Sequence, residues 1–144
     1  MRNYVLYIKK CPGIENPRHF KIGKAALDRT RTRLASYQNA VGPVWQEQFL
    51  RVFVGEDIDV NEAEKKIKLH FKPKISSAEA GFSEWISDID MDALLDFIKE
   101  LREEHFIKLI DPPAEYQPLT MSLCEDLELW YLEYLKTVEG YAKD

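Results

Sequence analysis

His19-Phe-Lys-Ile-Gly-Lys-Ala-Ala-Leu-Asp-Arg-Thr-Arg-Thr-Arg-Leu-Ala-Ser-Tyr-Gln38 passes from a strand pattern to a helix pattern within a single stretch. His19 to Ile22 reads as a strand, Gly23 lets the backbone turn at little steric cost, and Asp28 is placed to cap the helix that follows. In that helix Arg29, Arg33 and Tyr37 recur at i, i+4 and i+8 and stack along one face. Leu27, Leu34 and Gln38 lie on a face turned away. Guanidinium groups and a phenol therefore project together, an arrangement suited to handling a phosphate.

Towards the N-terminus, Asn3-Tyr-Val-Leu-Tyr-Ile-Lys9 is rich in β-branched and aromatic residues. It reads as a strand with Val5 and Tyr7 on one face and Leu6 and Ile8 on the other. The Cys11-Pro-Gly to Asn16-Pro17 segment supplies a turn, so the two strands form an antiparallel hairpin that places Tyr7 near Lys21 and Gly23. Towards the C-terminus, Asn39 to Pro43 closes the arginine helix and Trp45 to Val54 forms a third strand ending at Gly55. Asp59 is placed to cap a helix from about Val60 to Phe71, whose apolar stripe is Ala63, Ile67 and Phe71. Glu64 flanks that stripe four residues before Lys68, so it also reads simply as a solvated helix acid in an ion pair.

Lys72 to Gly81 reads as a loop, and Phe82-Ser-Glu-Trp-Ile86 as a short strand or turn with Trp85 in the core. Ser87 or Asp88 begins an amphipathic helix carrying Met91, Leu94, Leu95, Ile98 and Leu101, and Phe106 to Ile110 is a short strand candidate beyond it. Asp111-Pro-Pro marks a boundary, because paired prolines exclude regular hydrogen bonding. Leu119 to Val138 is a last helix, with Leu123, Leu127, Trp130, Tyr131, Tyr134 and Val138 set against Glu125, Asp126, Glu128 and Glu133.

A chain of 144 residues with 45% hydrophobic content is long enough for one compact core. The reading is one domain over 1–110 and an acidic helical extension over 111–144 that packs on the domain or on a partner. Charge is divided in the same way. Residues 1–75 hold 15 Lys+Arg against 8 Asp+Glu, and residues 76–144 hold 5 against 17. A basic lobe is the electrostatic footprint of a nucleic-acid binder, because neutralised phosphates release counterions; an unevenly charged solvated surface is the alternative. No apolar run is long enough to cross a bilayer and Met1-Arg-Asn-Tyr4 carries no signal-peptide core, so a cytoplasmic protein without a membrane partner is expected. Cys11 and Cys124 have no partners at metal-ligand spacing and read as free thiols.

Taken in order, Val5-Leu-Tyr-Ile8, Lys21-Ile-Gly-Lys-Ala25, Arg33-Leu-Ala-Ser-Tyr37 and Glu64 within a later helix resemble the GIY-YIG nuclease superfamily over about residues 3–90. Gly23-Lys-Ala followed by Arg33-Leu-Ala-Ser-Tyr37 is similar to the nuclease subunit of bacterial excision repair. Glu64-Lys-Lys-Ile67, Leu69-His-Phe71 and Glu84-Trp-Ile86 are similar to the phage and bacterial subgroup related to meiotically upregulated fungal proteins. The resemblance implies an α+β fold, a three-stranded antiparallel sheet flanked by helices, here with additional C-terminal helices. It also implies a concave face that cuts one DNA strand with a single divalent ion, Mg²⁺ or Mn²⁺.

Residue roles follow from the same resemblance. Tyr7 falls at the first motif's tyrosine, beside the attacking water. Arg33 falls at the helix arginine that steadies the scissile phosphate, Tyr37 at a position held by Tyr or His, and Glu64 at the acid that holds the metal. Lys24 stands where a lysine reaches the same phosphate, and Arg29, Arg31 and Lys68 extend the nucleic-acid-binding surface. The chain departs from the pattern at Val5, which replaces the first motif's glycine, and at Lys21, which replaces the second motif's tyrosine. Lys21 then lowers the pKa of Tyr7, contacts phosphate, or marks a loss of cleavage. Two extra residues separate Gly23 from Arg33, and Glu84 is the nearest match to a late asparagine-like position.

The chemistry asks for these residue types in its own right. Phosphodiester hydrolysis builds negative charge on phosphoryl oxygens, which a forked arginine and a carboxylate-held metal stabilise where it develops. The expected function is a metal-dependent DNA endonuclease. The alternatives are a nucleic-acid-binding module on the same fold that does not cut, with the acidic C-terminal helix docking a partner or a second copy, and a protein-interaction module whose basic lobe meets acidic surfaces. A further expectation is that residues 111–144 fold over the basic lobe and compete with DNA.

Overall fold

Alternate residues of the first strand sort into two different cores. Val5 and Tyr7 join one buried cluster, Leu6 and Ile8 another, as the two-residue period of a strand requires. The computed structural model describes residues 2–10, 20–41, 49–71, 75–76, 85–86 and 89–138, and leaves aside the side chains of residues 10, 36–41, 75–76 and 85–86. Strand β1 spans Asn3–Lys10, β2 Phe20–Ala26, β3 Arg51–Glu56, β4 Ile75–Ser76 and β5 Trp85–Ile86. Helix α1 spans Thr30–Val41, α2 Asp57–His70, α3 Met91–Glu104 and α4 Cys124–Val138.

The three long strands form the expected antiparallel sheet with β1 in the middle, and the two-residue strands extend it to the order β3-β1-β2-β5-β4. The β1–β2 register sets Tyr7 opposite Gly23 and Lys9 opposite Lys21. Because β5 pairs only with Phe20 and Lys21, Ile22 to Ala26 form an open edge of β2 among the described residues.

Helices cover both faces. Val60, Ala63 and Ile67 of α2 and Leu94, Ile98 and Leu101 of α3 pack with Leu6, Ile8, Ile22 and Phe53. On the other face, Leu34 of α1 and Leu127 and Tyr131 of α4 pack with Val5, Tyr7, Val52 and Val54. A sheet buried on both sides has no polar face, which explains why β1 and β3 read as nearly continuous apolar runs.

The element ends differ from the sequence reading in instructive ways. Asp28 does not cap α1: it lies in a 3₁₀ turn, Leu27–Arg29, and binds Arg2 instead. The α1 start is seated by the buried Thr30 hydroxyl, which donates to the Leu27 carbonyl at 3.1 Å. Asp59 lies inside α2, which already starts at Asp57, and accepts from the Lys108 N–H at 3.2 Å. Asp90 caps α3, accepting from the Ala93 N–H at 2.8 Å; the expected starts, Ser87 and Asp88, lie outside the described residues. Strand β3 starts at Arg51, with 42–48 outside the described residues. Phe106 to Ile110 is no strand, though Ile110 forms a single bridge to Val54. The last helix begins at Cys124 after a turn over Met121–Leu123.

Residues 111–138 pack on the domain itself. Tyr116, Leu119, Cys124, Leu127 and Tyr131 belong to the same core as Val5 and Tyr7. Their segment also closes the outer edge of β3. Phe49 bridges Leu119, and the Gln117 amide bonds both backbone groups of Val52, accepting from its N–H at 2.8 Å and donating to its carbonyl at 3.0 Å. A covered edge offers no template to another chain. The segment just before Asp111, which bridges Val54 through Ile110, approaches closely at Gly55, where an added Cβ would lie 2.7 Å from the Lys108 carbonyl oxygen.

Candidate functional site

A cleft of about 500 Å³ opens beside the free edge of β2, lined by Arg2, Tyr4, Lys24, Arg29, Thr32 and Arg33 together with the backbone flank at Ala25 and Ala26. Lys24 pairs with Leu6 across the hairpin, so its side chain leaves the sheet on the α2 side. Its ammonium donates to Asn61, lies 3.5 Å from Asp57 and stands 5.1 Å from the centre of the Tyr4 ring. Asn61 in turn donates to Asp57 at 3.2 Å. The amide and the carboxylate therefore hold the lysine in place.

Arg2 reaches the cleft from the other end of β1. Its carbonyl accepts from the Asp57 N–H at 3.3 Å, and its guanidinium donates to Asp28 at 3.1 Å and lies 6.0 Å from the Tyr4 ring centre. The hydrogen bond to Asp28 raises the pKa of Arg2 above its ordinary value. Arg29 and Arg33 are exposed and have no ion-pair partner among the described residues. Arg31 does not join them, because it points to α4 and lies 3.8 Å from Glu125.

Tyr7 is buried, only 2% exposed, and stacks on Phe49 with ring centres 4.0 Å apart and planes 8° from parallel. Its ring leans over β2: a Cβ on Gly23 would lie 2.6 Å from Tyr7 Cζ. The phenol therefore occupies the space that the second motif's glycine leaves empty. Lys21 is half-buried on the same face of the sheet and, like Tyr7 and Lys9, is already engaged in an interaction.

Glu64 lies on α2, the helix of the opposite face. It is largely covered, with its side chain 17% exposed, and pairs with Lys68 at 3.5 Å, the ion pair that the helical spacing alone anticipates. Helical periodicity puts Asp57, Asn61, Glu64 and Lys68 on one flank of α2. Lys24 binds the first two, and Glu64 lies one turn further along the same flank, while none of the described residues lining the cleft comes from α2. Tyr37 lies on α1, but its side chain is outside the described residues, as is Glu84.

The structure thus gathers Lys24, Arg29 and Arg33. It places Tyr7 and Lys21 behind β2 on the α1 side, Glu64 and Lys68 along the α2 flank, and Arg31 towards α4. Arg2, Tyr4, Asp57 and Asn61 went unassigned in the sequence. The i, i+4, i+7 row of Asp57, Asn61 and Glu64 was visible there, but its contact with Lys24 spans more than thirty residues.

For a divalent ion, Glu64 would supply one hard carboxylate on a helix; the Asn61 amide is already committed to Lys24 and Asp57. One carboxylate suffices for Mg²⁺, which takes one or two protein carboxylates and keeps several waters. Among the described residues no group of three or more His, Cys, Asp or Glu side chains is assembled. Lys68 would have to yield its partner.

The class defined by these features is an α+β domain with a central antiparallel sheet covered on both faces and a cationic cleft along one strand edge. The chain matches no protein-family model, no curated protein and no solved structure. No helix among the described residues is long and apolar enough to cross a membrane.

Proposed function

We propose that the chain is a metal-dependent endonuclease of GIY-YIG type that hydrolyses DNA phosphodiester bonds at the open edge of β2. The observation that supports this most directly is the convergence of Lys24, Arg29 and Arg33 in one cleft, beside a glycine over which the Tyr7 phenol lies. Arg33 forks onto the non-bridging oxygens of the phosphate and Lys24 adds a point charge, both acting where negative charge grows in the transition state. Tyr7 approaches from behind Gly23 and orients the attacking water or takes its proton. Lys21 lies on the same face of the sheet as Tyr7, directly opposite Lys9. Glu64 would hold the divalent ion, which when bound supplies Lewis-acid stabilisation of the phosphoryl oxygens. This reading puts the enzyme in the cytoplasm, where its cysteines stay reduced.

A second reading, a nucleic-acid-binding module that does not cut, draws support from two observations: Tyr7 is buried, and Glu64 is already paired with Lys68. Supercoiled plasmid separates the two. Nicking that requires Mg²⁺ or Mn²⁺, stops with EDTA and is lost in Glu64→Ala and Arg33→Ala is the expected result. Retention of plasmid without nicking by any form would establish the binding module instead, and normal nicking by Glu64→Ala would remove Glu64 from the site.

A further inference from the structure

With Asp28 and Asp57 counted against Arg2 and Lys24, the four cations of the cleft still leave more positive charge than a single phosphodiester neutralises. One phosphate carries one negative charge, and Arg33 and Lys24 already meet it with a fork and a point charge. Arg2 and Arg29 line the same cleft. Arg2 is built into the fold: its carbonyl is bonded to the first N–H of α2, and Asp28 turns its guanidinium towards the cleft. Both Arg2 and Lys24 lie against the ring of Tyr4. Their charged groups stand 6.0 and 5.1 Å from the one ring centre, so they are no more than about 11 Å apart.

Resting on the nucleic-acid reading above, we propose that Arg2 and Arg29 take a second phosphate of the same strand, adjacent to the one held by Lys24 and Arg33. The cleft then grips a backbone segment of two consecutive phosphates. The Arg2–Asp28 pair suits this handover. Its two side chains are 52% and 54% exposed, and an exposed ion pair contributes little, so exchanging it for a phosphate is easy. A phosphate offers the guanidinium two parallel acceptors in return. Asp28 keeps Arg2 oriented while the cleft is empty.

The test is the salt dependence of duplex DNA binding by the full chain, read by fluorescence anisotropy in EDTA so that no cutting intervenes. Each phosphate contact contributes about 0.9 to the slope of log K against log salt. Arg2→Ala should lower the magnitude of the slope by about that amount, and Arg2→Lys should restore it. Arg102→Ala, which removes an arginine paired with Asp111 away from the cleft, should leave it unchanged. Asp28→Asn should tighten binding in the otherwise native chain, and by much less when combined with Arg2→Ala. If Arg33→Ala lowers the slope and Arg2→Ala does not, the second phosphate site is wrong and the nucleic-acid reading survives. If neither changes it, both are wrong.

Discussion

The Tyr7 phenol lies over Gly23, its neighbour across the β1–β2 hairpin, in space that any other residue at position 23 would fill with a Cβ 2.6 Å from Tyr7 Cζ. The glycine is therefore required by a ring on the next strand, whatever turn it also permits. Gly23→Ala should force the ring to move against Phe49, with which it is stacked. Overpacking of this kind costs about 1–3 kcal/mol. Urea unfolding should show a loss in that range; on the proposed nuclease reading, plasmid nicking should fall further than the stability loss explains, because the phenol is displaced. An unchanged unfolding midpoint would mean that the ring is not confined by residue 23.

Gln117 supplies β3 with a substitute for a neighbouring strand. Its single amide meets the N–H and the carbonyl of Val52. Gln117→Ala leaves both backbone groups without those partners, and a buried unsatisfied group costs about 1–3 kcal/mol. A drop of that size in unfolding free energy is expected, whereas Gln117→Glu should keep the acceptor half and lose the donor half. Equal behaviour of the two variants would show that the side chain only fills space.

The acidic C-terminal segment is part of the core, so cutting the chain after Leu109 would strip away Leu119 and Leu127, both fully buried. Such a truncation should unfold or aggregate, and gives no clean measure of competition with DNA. The contact between Glu125 and Arg31 is the place to ask that question. Glu125→Gln frees an arginine of α1 without touching the core, and should tighten DNA binding modestly at low salt and not at high salt. Unchanged affinity at low salt would mean that α4 does not compete for the basic lobe.

Burial raises the pKa of the Cys124 thiol, partly offset by the neighbouring Thr30 side chain and by the charge of Arg31. Burial raises that of the Tyr116 phenol as well, with Glu115 and Asp126 adding to it. For both, the fold favours the neutral form. The stability they contribute is complete below their ordinary pKa values and is lost as pH rises through the raised ones, so the chain should become less stable above roughly pH 9. Urea midpoints at neutral pH and near pH 10 check this. Cys124→Ala should flatten part of the decline; an identical decline would assign it to Tyr116 or elsewhere.

Much of the fold was legible before any coordinates. The alternation of Val5 and Tyr7 against Leu6 and Ile8, the hairpin that sets Tyr7 beside Gly23, the arginine helix and the amphipathic α3 all follow from local periods of two and 3.6 residues. Helix starts were less legible. Asp28 and Asp59 have the right chemistry for caps, but each found a better partner far along the chain, in Arg2 and in the Lys108 N–H.

The candidate site divides along the same line. That Glu64 and Lys68 pair at i+4 is a consequence of helix geometry acting over a few residues, and the sequence determines it by itself; Arg29 reaches the cleft beside Arg33 from the 3₁₀ turn that precedes α1. Which cations meet in one cleft is a long-range matter. The register of β2 against β1 sends Lys24 to the α2 side and brings it to Asn61 and Asp57, and the start of α2 seats Arg2. The packing of α4 on α1 draws Arg31 away to Glu125. Strand register and the choice of helix for each face depend on burying two apolar faces at once, a condition that no single segment of sequence contains.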